Sequence, residues 1–206
     1  MMSDEPIHVQ MKAAMVQEKE GPRLIVGLNN IDAQVKQEEK FGKDLAKAQS
    51  QASIDALTGV KNKFAFTHVQ EQFDGRIKDN TQADFAVVML DLNDLKVIND
   101  TEGHKAGDQY LKDACQIICH VFAHSPVFRV GGDEFVAICQ GHDYEHIDEL
   151  IAQIDEHNKQ AVSNGGIVIA CGMSRFRNDD SLMDVYERAD QNMYINKDSL
   201  KALQKH

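Results

Sequence analysis

The stretch VFRVGGDEFVAIC, residues 127–139, places the adjacent carboxylates Asp133 and Glu134 after two glycines and between apolar runs. The apolar runs predict the two strands of a hairpin. Neighbouring carboxylates repel each other and add nothing to a hydrophobic core. Taken alone, the pattern allows either a solvated type I′ turn or a pair of acids held together to bind a cation.

A third carboxylate, Asp91, follows an apolar run at the end of residues 85–92, FAVVMLDL, which we interpret as a buried strand. If this strand pairs beside the hairpin, three carboxylates converge at one end of a sheet. Such a cluster raises its own pKa values unless a divalent cation neutralises it. Oxygen ligands without a soft ligand nearby favour Mg²⁺ or Mn²⁺.

The segment after this strand, residues 93–109, is rich in polar side chains. Asn99 and Asp108 together offer the acceptors and donors needed to bind a guanine edge. Lys96 and the backbone N–H groups near Asp94 are suited to receive phosphates. The alternative is a loop that leads into a helix, with Asp108 acting only as its cap.

The elements that must position these side chains follow a compact α/β pattern. We predict helices over 62–73 and 108–122, a helix through Ile147 and Ala161, and a last helix through Leu182 and Met193. Residues 165–176 predict a further strand. The resulting β-α-β-β-α-β order indicates a ferredoxin-like α+β fold, with a central, mostly antiparallel sheet flanked by helices.

The N-terminal residues differ in character from this compact region. Residues 7–17 and 23–31 predict two strands joined by the turn-like EKEGP, and we expect 1–31 to be a truncated hairpin unit. Residues 32–53 predict a polar connecting helix whose thin apolar stripe either pairs in a dimer or stays solvated. This stripe comprises Phe41, Leu45, Ala48 and Ala52. The compact α/β domain is then expected over 54–206.

Composition limits the classes of partner. The 206 residues carry 22 basic and 33 acidic side chains and a net charge of -11. An acidic surface argues against nucleic acid or an anionic membrane as the main partner. The chain shows neither an apolar run of membrane-spanning length nor a signal-peptide pattern, so we expect a cytoplasmic protein without membrane contact.

The four cysteines are too scattered for a disulfide framework, and we expect them to be reduced. Cys115, Cys119 and His120 lie close together in sequence. The spacing of the two cysteines fits one helix face better than a zinc site.

Three separated motifs resemble the GGDEF-domain family of diguanylate cyclases: RVGGDEF, the upstream LDLNDLKVINDTEGHKAGD, and DALTGVKNKFAF at 55–66. The resemblance covers about residues 53–201. It implies a palm-like fold related to nucleotidyl cyclases, and the condensation of two GTP molecules into cyclic di-GMP and two pyrophosphates. It also implies catalysis by a homodimer, because each domain binds one GTP.

The family resemblance implies a role for each matching residue. Asp91 and Asp133 would bind the metal with help from the Leu92 carbonyl, and Asp133 and Glu134 would form the metal or base region. Asn99 and Asp108 match the pair that binds guanine. The matching nucleotide and phosphate contacts are Asp94, Leu95, Lys96, His104, Lys197 and Lys201.

Three departures from the family pattern carry expectations of their own. Leu200 and Lys201 replace the usual glycine and arginine of the closing motif, which predicts a weaker grip on phosphate. Leu95 replaces a phenylalanine, which is a modest packing change. The product-inhibition motif is replaced by Phe122, Ala123, His124 and Ser125. We therefore expect no tight product feedback at this position.

A weaker resemblance concerns the N-terminus, where GPRLIVGLNNIDAQVKQEEK is similar to the last strand of a PAS domain running into its signalling helix. It implies an upstream sensor in a longer protein; an unrelated β-ribbon is the alternative.

Two functional alternatives to an active cyclase remain. A catalytically silent GTP-binding module that regulates a partner is disfavoured by the intact carboxylates. A cyclic di-GMP receptor is disfavoured by the missing product motif.

Overall fold

The computed structural model describes residues 7–18, 21–51 and 53–204. The chain divides into two compact units, Met1–Ala52 and Ser53–His206. No helix within the described residues has the length and apolar character needed to cross a membrane.

The first unit is a hairpin followed by a helix. Strand β1 (Val9–Glu18) pairs antiparallel with β2 (Gly21–Asn30), and helix α1 covers Asp32–Gln51. Asp32 joins the two elements: its Oδ1 lies 3.1 Å from Nδ1 of His8, and Lys36 pairs with its Oδ2 at 2.8 Å. Hydrogen bonds from Lys36 and His8 lower the pKa of Asp32 to about 2.

The predicted apolar stripe of α1 is described only in part. Phe41 is 70% exposed, whereas the side chains of Leu45 and Ala48 and the whole of Ala52 lie outside the described residues. Lys19 and Glu20, in the predicted turn of the hairpin, also lie outside them.

The second unit is built on a five-stranded sheet. In chain order its elements are β3 (Lys61–Asn62), α2 (Lys63–Lys78), β4 (Ala86–Leu92), α3 (Leu95–Glu102), α4 (His104–Val121), β5 (Val127–Arg129), β6 (Glu134–Cys139), α5 (Gly141–Glu145), α6 (Ile147–Asn164), β7 (Ile169–Arg175) and α7 (Leu182–Gln204). The strands are ordered β3-β5-β6-β4-β7. All pairs are antiparallel except β3 with β5. The predicted α+β fold and its β-α-β-β-α-β order are confirmed.

Both faces of the sheet are covered, which is why every residue of β4 is buried. Val88 and Leu90 belong to one core cluster with Ile118 of α4 and Ile154 of α6. The alternate residues of β4 belong to the opposite cluster, together with α2 and α7. Strand β4 therefore lies at the centre of the domain, between β6 and β7.

The structure also contains short elements that the sequence patterns did not predict. Residues 95–102, interpreted above as a polar stretch, form helix α3, and α4 begins at His104 instead of Asp108. Helix α5 and the two-residue strand β3 were also missed. These elements are too short to show a hydrophobic period, and tertiary packing determines their conformation.

Candidate functional site

The three predicted carboxylates meet at one end of the sheet because of the strand register. Asp91, near the end of β4, is the ladder partner of Glu134, the first residue of β6. The backbone N–H of Leu92 donates to the carbonyl of Asp133 at 3.1 Å, which holds the turn residue against the end of β4. Acids 42 and 43 positions apart in sequence are thereby adjacent in space.

Asp91 is only 5% exposed, and Nζ of Lys197 lies 2.5 Å from its Oδ1. Burial raises the pKa of Asp91 in spite of this pairing, and the charge of Asp133 adds to the rise. Burial likewise raises the pKa of Glu134, with further contributions from Asp133 and Asp91. The carboxylates therefore repel one another in a partly desolvated position and favour a neutralising cation.

Helix α7 brings Lys197 to the carboxylates because it packs closely on β7. Gly172 of β7 has no room for a Cβ, which would overlap the backbone of Ala189 and Met193. One turn further along α7, the side-chain carbonyl of Asn196 accepts the N–H of Cys171 at 3.0 Å. The next residue is Lys197.

The departures in the closing motif have different positions in the structure. Leu200 of α7, which stands where the family has glycine, is buried in the core and contributes to packing. Lys201 is exposed, and its charge nevertheless opposes the rise in the pKa of Asp91 to a small extent. The lysine therefore supplies positive potential near the carboxylates.

Arg129 shapes the turn that carries Asp133, a role that the sequence patterns did not reveal. Its Nη2 and Nε donate to the carbonyl of Gly132 at 2.7 and 3.2 Å, and its Nη1 donates to Asp55 at 3.1 Å. Asp55 also accepts the N–H and hydroxyl of Thr58. The DALTG segment therefore supports the turn from a distant part of the chain. This contact could have been predicted only by expecting the DALTG and RVGGDEF motifs to lie together.

The turn is not the type I′ turn that was one interpretation of the sequence. That turn requires positive φ at both central residues, and neither Gly131 nor Gly132 has a positive φ. Gly131 is needed for another reason: a Cβ there would overlap the carboxylate of Glu134. Gly131 thus makes room for the carboxylate of Glu134.

The predicted guanine pair lies on two packed helices. Asn99 is on α3, and its amide lies so close to Gly107 of α4 that a Cβ on Gly107 would overlap it. Asp108 is the next residue, inside α4 and exposed, so it does not cap this helix. Gly103, with a φ of 88°, provides the tight connection between the helices. The structure thus brings Asn99 beside the turn that carries Asp108.

The remaining predicted residues occupy the same segment. Asp94 adopts a left-handed conformation, with a φ of 63°, between β4 and α3. Leu95 is buried and packs in the core, which makes it a structural residue. Lys96 and His104 are exposed, at the starts of α3 and α4. The structure does not bring these two side chains into contact with the carboxylate cluster among the described residues.

The carboxylate cluster fits a divalent cation. It offers carboxylate oxygens, and an ion such as Mg²⁺ prefers ligands of this kind. Burial and mutual repulsion raise the pKa values of Asp91 and Glu134 despite the nearby Lys197, and a bound cation would offset both effects. The arrangement suits the binding of a metal with a polyphosphate.

Residues 52–202 match the family model described as diguanylate cyclase, GGDEF domain. The chain is 30% identical over 148 residues to diguanylate cyclase DgcS of Shewanella oneidensis, covering 70% of this chain and 49% of that protein. It is 28% identical over 152 residues to diguanylate cyclase DgcZ of Escherichia coli, covering 71% and 50%. The chain thus spans about half the length of these curated relatives.

The fold is similar to that of a solved structure. The coiled coil and GGDEF domain of DgcB from Caulobacter crescentus, solved in complex with c-di-GMP, aligns with a TM-score of 0.66. The alignment covers 81% of this chain and 92% of that chain, at 23% identity. The similarity at this identity concerns the fold.

Proposed function

Because the chain belongs to the GGDEF domain family of diguanylate cyclases, we propose that it condenses two GTP molecules into cyclic di-GMP and two pyrophosphates. The observation that carries the proposal is the ladder pairing of Asp91 with Glu134 beside Asp133 and Lys197. A silent nucleotide-binding module has no need for three carboxylates at one point, since their mutual repulsion costs stability.

The proposed metal ligands are Asp91, Asp133, Glu134 and the carbonyl of Leu92. A bound Mg²⁺ or Mn²⁺ would neutralise the triphosphate and lower the pKa of the attacking 3′-hydroxyl. Asp133 or Glu134 accepts the proton of that hydroxyl. Lys197, which pairs with Asp91, is positioned to contact a phosphate oxygen of the substrate, and Lys201 adds positive charge nearby.

We propose that Asn99 and Asp108 bind the guanine base and that Lys96, His104 and the backbone at Asp94 contact the nucleotide. The closeness of Asn99 to Gly107 supports this assignment, because it fixes the amide next to Asp108. An amide and a carboxylate held side by side match the acceptor and donor groups on a guanine edge and mismatch those of adenine.

Catalysis in this proposal requires two copies of the domain. Each copy binds one GTP, and its 3′-hydroxyl must reach the α-phosphate held by the other, so positioning is most of the catalytic work. We propose that α1 regulates this pairing and that the N-terminal hairpin is the end of a PAS-type sensor in a longer protein. We also propose that Phe122 to Ser125 form no product-inhibition site.

The test is to incubate the purified protein with GTP and Mg²⁺ or Mn²⁺ at increasing protein concentration and to analyse the nucleotides. We expect cyclic di-GMP at a rate that rises more steeply than protein concentration, and no product from Asp133→Ala. Asp84→Ala, an exposed acid just before β4, is the matched control and should remain active. GTP binding without turnover, even in a protein forced to dimerise, would establish the silent module instead.

A further inference from the structure

A second cluster of ligating side chains lies at the opposite end of the β5–β6 hairpin from Asp133. It consists of His124, His142 and Asp143 and is called here the histidine cluster. One ligating atom from each residue lies within 4.8 Å of the others. His124 lies three residues before β5 begins, and His142 lies three residues after β6 ends. The cluster therefore joins the two open ends of the hairpin.

Asp143 is the fixed member of the histidine cluster. Its side chain is 1% exposed, and its Oδ2 accepts the hydroxyl of Ser125 at 2.7 Å and the N–H of His124 at 3.2 Å. These bonds hold the carboxylate and the start of the 124–126 loop together. The other oxygen, Oδ1, faces His142.

The distance between Asp143 and His142 is compatible with two ligands of one ion. Nδ1 of His142 lies 3.4 Å from Oδ1 of Asp143. This separation is longer than the usual N–H···O bond of about 2.7–3.2 Å. Two ligands of a tetrahedral metal with bonds of about 2.0–2.1 Å lie about 3.3–3.4 Å apart. The distance between Nδ1 of His142 and Oδ1 of Asp143 thus matches that between two ligands of one metal ion.

The two imidazoles are open to solvent and already oriented towards each other. His142 is 62% exposed, its ring centroid lies 4.7 Å from that of His124, and His146 stacks on its other side at 4.5 Å. An ion can therefore enter from solvent while Asp143 anchors it from inside. Nearby Cys139 is fully buried within β6 and is not exposed to an ion that enters from solvent.

We propose that His124, His142 and Asp143 form a binding site for a first-row transition-metal ion of the Zn²⁺ type. Imidazole nitrogen with one carboxylate suits zinc and its neighbours, whereas Mg²⁺ prefers oxygen ligands. The fourth position is left to water. This site is separate from the carboxylate cluster, and the proposal does not depend on cyclase activity.

The test is calorimetric titration of Zn²⁺ into tag-free Cys115→Ser/Cys119→Ser protein containing excess Mg²⁺. The substitutions remove the adjacent cysteine pair, Cys139 and Cys171 are buried, and Mg²⁺ occupies the oxygen-only site. We expect one zinc equivalent per chain. His142→Ala and His124→Ala should each weaken binding by at least the ~10–100-fold that loss of an outer-shell partner costs. Substitution of the buried Asp143 is avoided because it would remove the loop bonds.

His68→Ala is the matched control. His68 is 67% exposed and lies 3.7 Å from a carboxylate oxygen of Glu71, so it reproduces the histidine–acid pair without a third ligand. It should bind zinc as the parent does. The proposal is overturned if the His142→Ala and parent proteins have equal zinc affinity, or if the parent shows no saturable zinc binding.

Discussion

Arg129 and Asp55 form a 3.1 Å ion pair between parts of the chain that are 74 residues apart. Both side chains are largely shielded from solvent, with exposures of 14% and 22%. Arg129 uses its remaining N–H groups on the carbonyl of Gly132. The pair thereby connects the first loop of the domain to the turn that carries Asp133.

The first prediction concerns this pair. Asp55→Asn should lower the free energy of unfolding by about 1–3 kcal/mol, because Arg129 is left without its charged partner. It should also lower kcat, since the turn that carries Asp133 loses its support. Urea unfolding and cyclic di-GMP synthesis measure the two effects. Arg129→Lys, which keeps the charge but loses the planar fork, should show both to a smaller degree. An unchanged stability in Asp55→Asn would contradict the assigned role.

A second prediction separates the two lysines of α7. Lys197→Met should lower kcat/KM for GTP by about tenfold or more, equivalent to about 1.4 kcal/mol or more, because Lys197 contacts the carboxylate cluster directly. Lys201→Met should have a smaller effect, since Lys201 is exposed and acts at longer range. Steady-state kinetics of both variants decide the matter, and equal losses would show that contact with Asp91 is unimportant.

A third prediction compares the two glycines of the turn. Gly131→Ala should displace the Glu134 carboxylate and lower activity by about tenfold or more, with little loss of stability because the atom that must move is the end of a flexible side chain. Gly132→Ala places its Cβ in open space, so its stability should stay within about 0.5 kcal/mol of the parent. Activity assays and thermal unfolding of the two variants provide the comparison. Similar activity of both variants would argue against a steric role for Gly131.

A fourth prediction tests the guanine subsite. Gly107→Ala should push the Asn99 amide out of position and raise KM for GTP while the protein remains folded. The control is Gly75→Ala in α2, where a Cβ meets no atom within 4 Å. This substitution should leave KM unchanged and stabilise the fold by about 0.4–1 kcal/mol. An unaltered KM in Gly107→Ala would remove Asn99 from the proposed base contacts.

The fifth prediction concerns acid stability. Arg188 donates to both carboxylate oxygens of Asp179, at 2.6 and 2.9 Å, and these bonds lower the pKa of Asp179 against the opposing effect of burial. Since the folded pKa is the lower one, the stabilisation is present above the unfolded pKa of about 3.9. It is lost as the pH falls through the folded pKa.

Asp179→Asn should therefore be less stable than the parent by about 1–3 kcal/mol at neutral pH. The difference should shrink as the pH is lowered below about 4. Denaturant unfolding at a series of pH values measures it, with the exposed neighbour Asp180→Asn as the control. A difference that stays constant with pH would show that the ion pair is not responsible.

The fold class and the chemical character of the site could be predicted from sequence patterns. The apolar run before Asp91 and the runs around Asp133 and Glu134 are long enough to show their strand period, and the helix stripes of α4, α6 and α7 are equally regular. Because these patterns extend over whole elements, the order of the elements and three acids at strand ends could be predicted from them.

Which residues come into contact depends on the tertiary structure. The register that pairs Asp91 with Glu134, and the close packing at Gly172 that brings Lys197 to Asp91, depend on contacts between distant segments. The same is true of the bond between Asp55 and Arg129, and of the histidine cluster that Asp143 anchors at the far end of the hairpin. The chemistry of each side chain follows from its residue type, whereas the distances between elements depend on how the core packs.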